Sequence, residues 1–139
     1  MSNKIFVDSN VLIYAHDLDE PQKRAIAIQI FEDLWLARTG VLSMQVLQEF
    51  YSVATRKIRS PLPTPIAREA IERLAPWCIA TTPLEIAAAF RIEDSAKISF
   101  WEAMIVAAAL KGGADQILSE DMNHGQTISG IRIVNPFAT

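Results

Sequence analysis

Hydrophobic and polar positions follow one another along this chain in two rhythms, and the switches between them mark out its elements. Lys4 to Val7 is a short run that ends at Asp8-Ser9-Asn10, residues that favour helix starts, so a strand turning into a helix is predicted there. From Pro21 to Arg38, Ile26, Ile30 and Leu34 recur at helical spacing, behind a proline suited to a first turn. A long amphipathic helix is the expectation. Gly40 precedes a second strand at Val41-Leu42-Ser43, and Met44 to Ile58 returns to helical spacing through Val46, Phe50 and Val53. Pro61, Pro63 and Pro65 then interrupt the pattern as a loop, Thr64 can cap, and the helix opened by Pro65 runs to about Leu74.

Trp77 to Ala80 reads as a third strand. Thr82-Pro83-Leu84-Glu85 and Ser99-Phe100-Trp101-Glu102 are both capping-box patterns. The second opens a helix that is apolar on nearly every side until Lys111, Gly112 and Gly113 end it, which predicts a central, buried helix. Gln116 to Leu118 and Ile131 to Val134 complete the strands. Such alternation predicts an α/β fold, a three-layer α/β/α sandwich with a short parallel central sheet, as one domain over residues 1–139.

Composition narrows the function. Half of the residues are hydrophobic, which fills one core and leaves apolar surface for a homodimer or a dedicated protein partner. A net charge of -3 excludes holding nucleic acid by overall charge, so any such contact must be local. Cys78 is the single cysteine and His16 and His124 the only histidines, which excludes an internal disulfide and a Cys/His zinc site. The N-terminal run is too short for a signal peptide and Ala103 to Leu110 too short to span a membrane; the expectation is a soluble protein of the reducing cytoplasm.

Topology then gathers carboxylates. In an open parallel sheet, ligands bind outside the carboxyl ends of the strands. Asp8 and Asp121 lie at or just beyond such ends, Glu49 lies in the second turn of the helix after strand two, and Glu102 opens the helix that descends before the next strand. Four converging carboxylates repel unless a cation neutralises them. With oxygen ligands only, Mg²⁺ or Mn²⁺ is favoured, and such a site suits hydrolysis of a phosphodiester backbone.

The same residues carry a resemblance. Val7-Asp8-Ser9-Asn10-Val11-Leu12, Gln48-Glu49-Phe50, Phe100-Trp101-Glu102-Ala103-Met104-Ile105 and Leu118-Ser119-Glu120-Asp121 are similar, in order and spacing, to the four signature segments of PIN domains. The compact size and the segment from Leu118 to Gly125 most resemble VapC-type toxins of bacterial toxin-antitoxin pairs. This resemblance implies a metal-dependent endoribonuclease acting on structured RNA and inhibited by an antitoxin. It carries the acidic roles to Asp8, Glu49 and Asp121, and supporting polar roles to Ser9, Asn10 and Ser119. The third acidic position departs from the family's usual aspartate: here it is Glu102, one methylene longer.

Simpler roles compete at each position. Asp8 can be a helix cap, Glu102 can close a capping box on Ser99, Asp121 can be a turn residue, and Glu120 is expected to face solvent. Arg56, Lys57 and Arg59 complement a helix C-terminus, and Trp35, Trp77 and Trp101 are read as core or interface residues. A receiver domain lacks its acceptor aspartate here, since Trp77 to Thr82 carries none, and a dehalogenase-like phosphatase would need aspartate where Asn10 stands. No glycine-rich nucleotide loop occurs. The remaining rival is a non-catalytic PIN-like module that binds RNA or protein.

Overall fold

The structure, a computed structural model, describes residues 3–138; Met1, Ser2 and Thr139, the ends of the expected domain, lie outside the described residues. Strand β1 (Lys4–Val7) passes through Asp8 into the short helix α1 (Ser9–Tyr14), and α2 (Pro21–Ala37) follows. Next come β2 (Gly40–Ser43), α3 (Met44–Arg56) and α4 (Thr64–Leu74). A single 3-10 turn (Ala75–Trp77) leads into β3 (Cys78–Ile79), and α5 (Pro83–Ala96) and α6 (Phe100–Lys111) cross to β4 (Ala114–Leu118). The hairpin β5 (Thr127–Ile128) and β6 (Ile131–Val134) closes the sheet.

The strand order is β3-β2-β1-β4-β6-β5, parallel except for the β5–β6 pair. The chain therefore builds outward from β1 in one direction and then returns to its other side. Right-handed crossovers put α1 to α4 on one face and α5 and α6 on the other. The contacts agree: α1 packs on α2 and α3, α3 on α4, and α5 on α6. The expected three-layer α/β/α sandwich is what forms. No helix among the described residues is long and apolar enough to cross a membrane.

The core is strand and helix faces meeting: Phe6 and Val7 on β1, Phe50 on α3, Val106 on α6, and Ile117 and Ile133 on β4 and β6 are all fully buried. Helix α6 buries Ala103 and the run Ile105–Ala109, as its apolar composition predicts, but its first turn leaves Trp101 67% exposed. Helix α2 keeps the expected stripe at Leu34, which is buried, and at Ile30, which packs against the core, but not at Ile26, which is exposed; Ala27 and Phe31, one residue on, also face inward.

Three further departures have local causes. The third strand is two residues rather than four because Trp77 belongs to the preceding turn, where its ring stacks on Phe31 at 5.9 Å. Pro63, not Thr64, is the cap position of α4, and Thr64 is already helical. Strand β5 was not expected at all: Ser129 and Gly130, both at positive φ (51° and 82°), form a two-residue hairpin whose only sequence sign is the Ser-Gly pair between two isoleucines.

Candidate active site

The order of the strands reverses between β1 and β4, and the crevice beyond their carboxyl ends is where a ligand site is expected. Val7 and Leu118 are register partners there, and the Asp8 N–H donates to the Leu118 carbonyl at 2.9 Å. Asp8 and Ser119, the next residues on the two strands, are thereby set side by side.

Ser119 is fully buried, and its hydroxyl donates to Asp8 Oδ2 at 2.7 Å while accepting the N–H groups of Asp121 and Met122 at 3.2 and 3.3 Å. Asp8 caps α1, its Oδ1 accepting the Ser9 N–H at 2.8 Å. The buried Ser9 hydroxyl points across to α3 and donates to Glu49 Oε1 at 2.5 Å. The Asn10 amide completes the group, with Nδ2 3.2 Å from Asp8 Oδ2, 3.4 Å from Ser119 Oγ and 3.2 Å from Asp121 Oδ2. Asp8 thus caps α1 and is the hub of this network at once.

Six of the seven residues named from the sequence are joined in this network: Asp8, Ser9, Asn10, Glu49, Ser119 and Asp121. Glu102 is placed differently. It lies at the same edge, since Gln45 at the start of α3 donates to the Trp101 carbonyl at 3.3 Å, but its Oε1 accepts the Ser99 N–H at 3.1 Å in a complete capping box. Among the described residues, no three His, Cys, Asp or Glu side chains are grouped closely enough to hold a metal ion. The four-carboxylate cage expected from the sequence is therefore not formed in this arrangement. The reason is that Ser9, Asn10 and Ser119 stand between the carboxylates, and that Glu102 turns back on its own helix.

The chemistry of the donors nevertheless fits a hard divalent cation. All three networked acids offer oxygen, and every donor between them is neutral: hydroxyl, amide or backbone N–H. Burial pushes the Asp8 carboxyl above the ordinary aspartate range, hydrogen bonds from Ser119 and Ser9 pull it back, and the charges of Glu49 and Asp121 raise it again.

Sequence reading missed one neighbour of this pocket. Glu120, expected to face solvent, is half-buried and paired with Lys23 of α2 at 2.6 Å and with the Tyr14 hydroxyl at 2.6 Å. Residues from three separate segments meet there, and no local pattern could have announced it.

An acidic pocket at the switch point of a small, mostly parallel α/β sandwich is a class of architecture that many enzymes share. The particular family is set by a family model described as the PIN domain, which matches residues 5–127, and the chain belongs to that family. No curated protein sequence matches it. Among solved structures it is similar to FitAB bound to an IR36 DNA fragment (TM-score 0.73, 18% identity, 97% of this chain and 96% of that one). It is similar to Mycobacterium tuberculosis VapC20, a toxin that cleaves the sarcin-ricin loop (TM-score 0.60, 21% identity, 85% and 90% covered). It also resembles a chain of a toxin-antitoxin complex from Klebsiella pneumoniae (TM-score 0.63, 18% identity, 99% and 100% covered).

Proposed function

We propose that this chain is a metal-dependent endoribonuclease, the toxin of a toxin-antitoxin pair, working in the cytoplasm. The observation that carries the reading is the juxtaposition of Asp8, Glu49 and Asp121 at the switch point, with only neutral donors between them. Asp8, Glu49 and Asp121 would hold Mg²⁺ or Mn²⁺, with Glu102 joining once its carboxylate leaves the Ser99 N–H. When bound, the cation supplies an activated water and a counter-charge for the phosphodiester.

The chain's own residues do the rest. Ser119 and Ser9 hold the Asp8 and Glu49 carboxylates in fixed directions, and the Asn10 amide spaces Asp8 from Asp121. Asp8, Ser9 and Asn10 sit at a strand end and helix start and Glu49 in the second turn of α3, while Asp121 lies on the segment after β4 and is tied back through Ser119 and Asn10; this bracing preorganises the site to receive a backbone phosphate.

Partners follow from apolar surface. A cavity of about 600 Å³ between α1, α2 and α4, lined by Phe31, Trp35, Leu36, Leu74 and Trp77, suits an apolar segment of a cognate antitoxin. The toxin-antitoxin complex among the similar structures supports that assignment. The exposed Leu84, Phe90 and Trp101 on the opposite layer support a homodimer.

A second reading, RNA or protein binding without cleavage, is favoured by one observation: the Glu102 carboxylate is engaged in its capping box. The two are separated by incubating the purified, partner-free protein with structured RNAs in Mg²⁺, in Mn²⁺ and in EDTA. The nuclease cuts in either metal, stops in EDTA, and leaves no 2′,3′-cyclic phosphate, because water rather than the ribose 2′-hydroxyl attacks phosphorus; with the 3′-oxygen as leaving group the ends are 5′-phosphate and 3′-hydroxyl. Asp8→Asn loses at least about 100-fold in rate, the scale of removing one group that stabilises the transition state. Retained RNA binding with no cutting by the wild type would establish the second reading instead.

A further inference from the structure

Glu120 stands between Ser119 and Asp121, yet its side chain turns away from the acidic pocket. Its Oε1 accepts the Tyr14 hydroxyl at 2.6 Å and its Oε2 accepts Lys23 Nζ at 2.6 Å. The ammonium is boxed by rings: it lies 4.7 Å from the centre of Tyr14 and 5.8 Å from that of Phe137, and those two rings meet edge to face at 5.0 Å. An isolated surface ion pair does little. Here both carboxylate oxygens are engaged, Lys23 also reaches the Tyr14 hydroxyl at 3.3 Å, and the pair side chains are only 34% and 24% exposed. Four chain segments are tied at one point.

What this knot fixes is the backbone of Glu120. Its N–H donates to Asn10 Oδ1 at 3.0 Å. With the amide oxygen occupied on that side, the amide nitrogen is obliged to face Asp8 and Asp121, each 3.2 Å away. Were the amide to turn over, its oxygen would confront both carboxylates.

We infer that Tyr14, Lys23 and Glu120 form a positioning clamp, which acts through the Glu120 backbone N–H to hold the Asn10 amide and thereby the relative placement of Asp8 and Asp121. The kinetic consequence rests on the ribonuclease reading; the effect on Asn10 does not. None of the three clamp residues touches the reacting atoms, so each is a positioning residue.

The test follows the Asn10 side-chain amide by NMR in the metal-free protein, in wild type and in the Lys23→Met, Glu120→Gln and Lys23→Arg variants. Lys23→Met keeps the stem that packs on the Tyr14 and Phe137 rings, and Tyr14→Phe, which removes a single hydroxyl, is a further variant should either of the others fail to fold. The clamp predicts that Lys23→Met and Glu120→Gln shift the Asn10 amide resonances and speed their exchange with water, while Lys23→Arg, which keeps the cation but not its compact geometry, shifts them less. With RNA substrate and Mg²⁺, the same two variants lose about tenfold in kcat at unchanged KM, a modest misplacement of working groups. In an Asn10→Ala background they lose nothing further.

Asn10 resonances that ignore both variants would overturn the clamp, as would a kcat loss that adds in full to that of Asn10→Ala. If the wild type does not cut but Asn10 responds, the clamp stands and the nuclease reading fails. If the wild type cuts and Asn10 is indifferent, the nuclease reading stands and the clamp falls.

Discussion

At the scale of single residues, Asp8 is where structure and chemistry pull in opposite directions. It caps α1, which favours the charged form, yet burial and the charges of Glu49 and Asp121 raise its pKa above the ordinary value. The folded state therefore binds the Asp8 proton more tightly than the unfolded state does. The stability linked to that proton is fully present below the unfolded pKa of 3.8 and is lost as pH rises through the higher folded value. The charge on ionised Asp8 opposes folding of the metal-free protein; Asp8→Asn removes it and keeps an oxygen that can accept from Ser9, at the loss of the Oδ2 acceptor of Ser119 and Asn10, and is expected to raise Tm by about 3 °C. The gain should shrink as pH falls through the raised pKa of folded Asp8; thermal melts of both proteins between pH 4 and 8 measure it. An unchanged or lower Tm for the variant at pH 7 would mean that the cap, not the repulsion, dominates. Asp8, Glu49 and Asp121 were legible in the sequence because each sits where alternation of strand and helix puts the carboxyl edge. Glu120 was not, because its partners Tyr14 and Lys23 lie 106 and 97 positions away in the chain.

At the scale of elements, the long, periodic segments were read almost to the residue, since capping boxes at Thr82 and Ser99 fix helix starts by hydrogen bonds that the sequence displays. Short elements were not, because their limits depend on tertiary contacts. Strand β3 is cut to two residues by the packing of Trp77, and that packing makes Gly40 a close approach: a Cβ there would come 2.3 Å from the Trp77 ring. The ring also packs against Phe31 and Trp35, at 5.9 and 5.7 Å between centres, which limits how far it can yield. Gly40→Ala should cost about 1–3 kcal/mol, the range for overpacking, and chemical denaturation would measure it as a lower midpoint at unchanged slope. A midpoint equal to that of the wild type would show that the Trp77 turn moves aside. The capping box at Ser99 presents the opposite lesson. The sequence displayed both a cap and an acidic site position at Glu102, and the structure has the cap closed.

At the scale of the whole molecule, a net charge of -3 and an acidic pocket make an unusual frame for acting on a polyanion. A cation held where β1 and β4 part would resolve this, making attraction for a phosphate local and dependent on the metal. The fold that brings Asp8, Glu49 and Asp121 there was legible from alternation alone; the hydrogen-bonded spacing among them was not, because it is made by Ser9, Asn10 and Ser119 across three segments. The central claim is that this pocket binds a divalent metal, and Mn²⁺ binding to the purified, partner-free protein, followed by electron paramagnetic resonance, tests it most directly. Asp8→Asn is compared with Asp115→Asn, which removes an exposed carboxylate from the body of β4. The account predicts saturable Mn²⁺ binding that Asp115→Asn leaves unchanged and that Asp8→Asn weakens by about tenfold or more, the loss expected on removing a charged ligand. Equal binding by all three proteins, or no saturable binding by the wild type, would contradict it.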